Sequence, residues 1–223
     1  MRLPIGTELN AGILLFDMDG TLVNSIAAVE RVWRRWALGH GFDGDAVVRA
    51  CHGRRPVETV RDFLPADRDA DAEADWLNRA EYQETDGILA IPGAADLLAA
   101  LPEHRWGIVT SAHRALAQRR LALAGLPCPD VLVAAEDVTR GKPDPQGYTS
   151  AAERLGLRKN AAIVFEDAPA GLAAGRAAGF RTIAMATIQP PEELDGWDWI
   201  PDMSVLDLRA SGDDGELRLM VCR

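Results

Sequence analysis

From Ile91 onward, short apolar runs alternate with helical stretches, a pattern that few folds accept. Pro92-Gly93 opens a helix through Leu101, and Trp106 to Val109 reads as a strand. A helix from Ala112 to Ala124 is closed by Gly125 and followed by a strand from Val131 to Ala135. Pro145 to Leu155 is a helix closed by Gly156, and Ala161 to Phe165 is a strand. Pro169 to Ala178 and Phe180 to Ala184 repeat the helix–strand pair. Strands alternating with helices predict βαβ crossovers and a parallel sheet. Strands buried on both faces of such a sheet read as unbroken apolar runs, and Ile13 to Phe16 is one more of them. The expected fold class is α/β, with a Rossmann-like parallel-sheet core.

Other stretches break the alternation. Ser25 to Leu38 carries Ile26, Val29, Trp33 and Trp36 at helical spacing and ends at Gly39 and Gly41. Asp43 to about Glu84 holds three further helical patterns, punctuated by Gly53, Pro56 and Pro65, and no strand signal. The block reads as a small all-helical insert, placed at 23–87 between core segments 1–22 and 88–223. Near the carboxyl end, Val205 to Arg209 and Glu216 to Val221 alternate apolar and polar residues around Gly212-Asp-Asp-Gly215, predicting a hairpin.

Composition excludes several classes. A chain of 223 residues, 48% hydrophobic and 26% charged, suits one α/β domain or a core with a small insert. The formal net charge of −10 argues against nucleic acid or an anionic membrane as partner. Any anion site must then be built locally. Cys51, Cys128 and Cys222 form no paired motif, so neither a disulfide framework nor a zinc site is expected. Ala11 to Phe16 is too short for a membrane span or a signal segment. The expected compartment is the reducing cytoplasm.

The chemistry sits at strand ends. After Phe16 the chain runs Asp17-Met18-Asp19-Gly20-Thr21, and residues two apart in extended chain point the same way. Asp17 and Asp19 can thus face one site, with Gly20 permitting a sharp turn. Paired carboxylates there suit a hard cation such as Mg²⁺, and Asp is an established nucleophile in phosphoryl transfer. A calcium loop of the EF-hand type does not fit, because its glycine and closing glutamate would fall at Leu22 and Ala28. A solvated turn with two incidental acids is the bland alternative. Thr110-Ser111 follows the next strand; such hydroxyls cap helices or, with helix amides, bind phosphate. Lys142, between Gly141 and Pro143, is either a surface lysine or a fixed ammonium in a carboxylate site. Glu166 and Asp167 end a further strand, where Asp167 before Pro169 also fits an N-cap. Gly171, Gly175 and Gly179 recur every four residues, a face for close packing on the sheet. All four stretches fall on the edge where parallel sheets place ligands.

Taken together, DMDGT at 17–21, TS at 110–111, GKPDP at 141–145 and EDAPAG at 166–171 resemble the haloacid dehalogenase superfamily of aspartate-nucleophile phosphatases. The likeness runs from about Ile13 to Thr187. The insert resembles that family's helical cap of the first type, and Cys51-His52-Gly53-Arg54-Arg55 with Glu58 to Pro65 is similar to its branch acting on glycerol phosphate, 2-deoxyglucose 6-phosphate and related sugar phosphates. Asn24-Ser25 replaces the more usual Asp-Ser after the first motif. The resemblance implies Asp17 as nucleophile and Asp19 as general acid and base. It implies Mg²⁺ on Asp17, the backbone carbonyl of Asp19, and Asp167, with Glu166 a further ligand or a support behind them. Thr110, Ser111 and Lys142 would hold phosphate oxygens, and His52, Arg54, Arg55 and Glu58 of the cap would read the substrate. Implied too are a small phosphorylated sugar or polyol as substrate and a monomer or weak dimer. A sugar phosphomutase of the same family and a non-catalytic binding protein on the fold are the alternatives.

Overall fold

The computed structural model describes residues 1–156, 162–211 and 216–222. Strands β1 (Glu8–Ala11), β2 (Ile13–Phe16) and β3 (Val23–Asn24) lead into helices α1 (Ile26–His40), α2 (Gly44–Cys51), α3 (Pro56–Phe63) and α4 (Ala70–Gln83). The chain returns through β4 (Leu89–Ala90) to α5 (Ala94–Ala100), β5 (Trp106–Val109), α6 (Arg114–Leu123) and β6 (Leu132–Val133). It continues through α7 (Gln146–Arg154), β7 (Ala162–Glu166), α8 (Pro169–Ala177) and β8 (Arg181–Met185). Strands β9 (Asp198–Ile200), β10 (Leu206–Ser211) and β11 (Leu217–Val221) follow.

The parallel sheet expected from the alternation is present, six strands in the order β6-β5-β2-β7-β8-β9. Its central strand β2 is buried at every position. Leu14 and Phe16 enter one hydrophobic cluster with Leu97 of α5 and Leu116 of α6. Ile13 and Leu15 enter another with Tyr148 of α7 and Ala174 of α8. Successive side chains of a strand point to opposite faces, so one four-residue run feeds both layers. On α8, a Cβ at Gly171 would lie 1.7 Å from Glu166 Oε1 and one at Gly175 would lie 2.5 Å from Thr182 Oγ1, so those glycines bring the helix onto the sheet.

The hairpin β10–β11 also forms, but β1 joins it as a third antiparallel strand. The turn expected at 212–215, and Ala161, where a strand was expected to begin, lie outside the described residues. β9 is an addition, since three residues are too short to show a period.

The four helices between β3 and β4 pack around a cluster of their own that includes Trp33, Trp36, Val47, Val60 and Leu77. Asp43 and Asp69 cap α2 and α4 by accepting two backbone N–H bonds each. Pro56 stands at the first turn of α3, where its missing N–H costs nothing. The two chain segments joining these helices to the sheet pair with each other, Val23 opposite Ala90 and Asn24 opposite Leu89. No described helix is long and apolar enough to cross a membrane.

Candidate active site

The carboxyl end of β2 lies between those of β5 and β7, which brings Asp17, Thr110 and the Glu166-Asp167 pair onto one sheet edge. Asp17 N–H donates to the Phe165 carbonyl at 3.0 Å, the last rung before the chain leaves the sheet. The turn after it is tight: Leu22 and Val23 both donate to the Met18 carbonyl at 2.9 Å. Gly20 has φ +84°, and a Cβ there would stand 2.1 Å from Asp167 Oδ2. Only glycine suits that place, for both conformation and space.

Lys142 is buried and reaches inward from the loop between β6 and α7. Its Nζ donates to Asp17 Oδ1 at 2.5 Å, Glu166 Oε1 at 2.6 Å and the Val109 carbonyl at 3.0 Å. Glu166 is held from all sides: Tyr148 OH donates to Oε1 at 2.8 Å, while the N–H groups of Asp167 and Ala168 donate to Oε2 at 3.1 and 3.3 Å. Thr21 Oγ1 donates to Asp167 Oδ1 at 3.0 Å. Asp167 Oδ2 is buried with no hydrogen-bond partner among the described residues. Burial pushes the Asp17 carboxyl up to about 7, against the pull of Lys142 and with a further push from Glu166. Asp167 is raised well above the carboxylate range by burial and then by Asp17 and Glu166. Burial works against the Lys142 charge, yet Asp17 and Glu166 outweigh it and raise its pKa.

Carboxylate oxygens of Asp17, Glu166 and Asp167 lie within 4.8 Å of one another. Lys142 bonds Asp17 and Glu166, so full ionisation of the three acids leaves two negative charges unmatched, the charge of one divalent cation. Hard oxygen donors and an orphaned buried oxygen fit such an ion. Both Glu166 oxygens are already occupied, which favours a supporting place for that residue.

Asp19 has partners of its own beside this cluster. Ser25 Oγ donates to its Oδ1 at 2.5 Å and Arg120 Nη1 to its Oδ2 at 2.9 Å. Its side chain is outside the cluster of three carboxylates that could share an ion. A cleft of about 600 Å³, its open mouth included, runs between the sheet edge and the helical insert. Asp17, Asp19 and Asp167 line it from the core, with Thr110 and Ser111 beside them. The Thr110 hydroxyl accepts from Ala112 N–H at 3.1 Å, as a cap does, and the Ser111 hydroxyl donates to the Gly53 carbonyl of the insert at 2.9 Å.

Of the insert residues singled out in the sequence, His52 and Arg54 line the cleft. His52 stands 3.8 Å from Glu30 and its pKa is lowered by burial, while Arg54 pairs with Asp62 at 2.7 Å. Arg55 and Glu58 are placed elsewhere. Arg55 donates to the carbonyls of Val138 and Thr139 at 3.1 Å each and pairs with Glu58 at 2.5 Å. Glu58 in turn accepts from Gly141 N–H at 3.2 Å. Both are turned onto the loop that precedes Lys142 instead of toward the cleft.

The sequence did not single out Arg120, Glu81 and Asn78, which line the cleft, or Tyr148, which holds Glu166. Two carried a readable signal. On α6, Arg120 shares the buried stripe of Leu116, Ala117 and Leu121, and on α4, Glu81 follows Ala74 and Leu77. A charge on an apolar stripe is rarely buried without a partner.

The profile of the haloacid dehalogenase-like hydrolases matches residues 12–179. The chain is 45% identical over 175 residues to hexitol phosphatase A of Escherichia coli strain K12, covering 77% of this chain and 81% of that one. It is 35% identical over 199 residues to glycerol-1-phosphate phosphohydrolase 2 of Saccharomyces cerevisiae, covering 82% and 77%. A hydrolase from Pseudomonas syringae of known crystal structure superposes with a TM-score of 0.78 at 23% identity, covering 86% of this chain and 94% of that one.

Proposed function

The chain belongs to the haloacid dehalogenase-like hydrolases and is a phosphoric monoester hydrolase, and from that premise we propose that it cleaves small sugar or polyol phosphates through an aspartyl-phosphate on Asp17. The observation that carries this reading is the pairing of a buried Asp17 with Lys142 at the end of the central strand. The ammonium holds one oxygen of Asp17 and favours its charged form, leaving the other for attack on phosphorus. As the Asp17–phosphorus bond forms, the ester P–O bond breaks and Asp19 gives its proton to the departing alcohol. Asp19 then takes a proton from water as that water attacks the phosphoryl group, which frees inorganic phosphate and restores Asp17. Thr110, Ser111 and Lys142 hold the phosphoryl oxygens. Mg²⁺, on Asp17, Asp167 and the backbone carbonyl of Asp19, would neutralise charge on the transferred group. Glu166 keeps Lys142 in place. The helical insert, 23–87, serves as a cap over the core 1–22 and 88–223, and excludes bulk water from the cleft.

A relative named as a hexitol phosphatase supports a polyol phosphate as substrate, and phosphatase names among the others support water, not a second sugar hydroxyl, as acceptor. The test is phosphate release from a panel of hexitol, glycerol and sugar phosphates. EDTA is expected to abolish it, added Mg²⁺ to restore it, and Asp17→Asn to bring it to background with the melting curve retained. Full activity in EDTA, or in Asp17→Asn, overturns the reading.

A further inference from the structure

Asp19 is connected to the helical insert through a line of buried charges. Arg120 of α6, 2% exposed, donates through Nη1 to Asp19 at 2.9 Å and through Nη2 to Glu81 Oε2 at 2.8 Å. Glu81 belongs to α4 of the insert, is 6% exposed, and accepts from Trp33 Nε1 through its other oxygen at 3.0 Å. The guanidinium thus bridges two bodies of the fold, one arm on each.

Such a bridge is an expensive way to join two packed surfaces. Removing charges from water is costly, and apolar residues of similar volume often stabilise as well or better. The planar fork does something that apolar packing cannot. With Nη1 on Asp19 and Nη2 on Glu81, its rigid plane sets where one acid's oxygen stands relative to the other's. Ser25 holds the remaining Asp19 oxygen, so the carboxyl group is held at both ends.

We propose that Arg120 and Glu81 are positioning residues that set the orientation of the Asp19 carboxyl group, Glu81 doing so by holding the second arm of Arg120 when the insert lies on the core. The inference rests on the phosphatase reading, in which Asp19 hands a proton to the leaving oxygen and must lie within hydrogen-bond reach of it. Both side chains line the cleft, and the role assigned to them runs through the Asp19 carboxyl group that Arg120 holds. The seat of the insert on the core then does more than cover the cleft: it places Glu81 on Arg120, which holds the acid.

The test uses two substrates that differ in their need for that acid. p-Nitrophenolate leaves without a proton, whereas the alkoxide of glycerol 1-phosphate or a hexitol phosphate requires one. Glu81→Gln keeps the size of the side chain and the acceptor for Trp33, and Arg120→Lys keeps the charge but loses the fork. Each is expected to lower kcat for the polyol phosphate about tenfold more than for p-nitrophenyl phosphate, with KM for both moving less than about threefold. In Arg120→Ala, millimolar guanidinium is expected to restore polyol phosphate turnover selectively. A merely structural role lowers both substrates by one factor, and that result, or no loss at all, overturns the inference while leaving the phosphatase reading intact. A wild-type protein that releases phosphate from neither substrate overturns the reading itself.

Discussion

Asp17 and Asp167 keep their protons to higher pH in the folded chain than carboxyl groups do in an unfolded one, because burial penalises their charged forms. Between the ordinary value of 3.8 and about 7, the folded protein stripped of divalent metal therefore binds more protons at Asp17 than the unfolded chain does. Stability then rises as pH falls through that interval, since the state holding more protons is favoured by acid. Glu81, also raised by burial, acts in the same sense. His52 acts in the opposite sense below its ordinary value of 6.5, its pKa being lowered by burial, so the clean window is pH 8 to 6.5. In EDTA the melting temperature is expected to climb from pH 8 to 6.5, by roughly 2–4 °C for each kcal/mol gained. Saturating Mg²⁺ is expected to raise it at pH 8 and flatten the slope, because bound metal replaces those protons. A flat or falling profile in EDTA contradicts the reading that burial holds protons on these two acids.

At the scale of an element, the turn between β2 and β3 does the positioning. It returns the backbone onto the Met18 carbonyl and lets Asp167 stand over Gly20. Gly20→Ala forces a side chain into φ +84°, which costs roughly 1–2 kcal/mol, and drives its Cβ against Asp167 Oδ2. The carboxylate has to move, and with it the place proposed for Mg²⁺. The expected result is a modest fall in melting temperature and a much larger loss of Mg²⁺-supported phosphate release, with a weaker apparent affinity for the metal in a titration. A variant that keeps full activity at low Mg²⁺ shows that Asp167 is not needed where it stands.

At the scale of the whole molecule, the insert is tied to the core by contacts on both sides of the cleft. On one side Arg120 bridges to Glu81; on the other, Arg55 and Glu58 hold the carbonyls of Val138 and Thr139 and the N–H of Gly141, next to Lys142. From this placement, Arg55→Ala and Glu58→Ala are expected to lower kcat/KM in parallel for p-nitrophenyl phosphate and a polyol phosphate, by roughly 1.5–3 kcal/mol, the range for hydrogen bonds to charged groups. A loss confined to the polyol phosphate means instead that both residues read substrate hydroxyls, as their sequence neighbourhood suggests.

The sequence alone determined the parallel core, the helical insert, and the gathering of Asp17, Thr110 and Asp167 at one sheet edge, while Lys142 was left open between surface and site. Each of these follows from a local cause: an apolar run makes a buried strand, and topology sends every strand end of a parallel sheet to the same side. The third strand of the antiparallel sheet, the pairing of β3 with β4, and β9 were decided by the tertiary structure, because segments of two to four residues acquire a partner only once the rest has folded. So was the direction in which polar side chains of the insert turn. Arg55 sits three residues from His52 in the chain, yet faces the 138–141 loop while His52 faces the cleft. Arg120 reaches Asp19 across 101 residues of sequence and Glu81 across 39. No period in the chain encodes such a meeting; it exists because two separately packed bodies come together, and only their packing says which charges are left to pair.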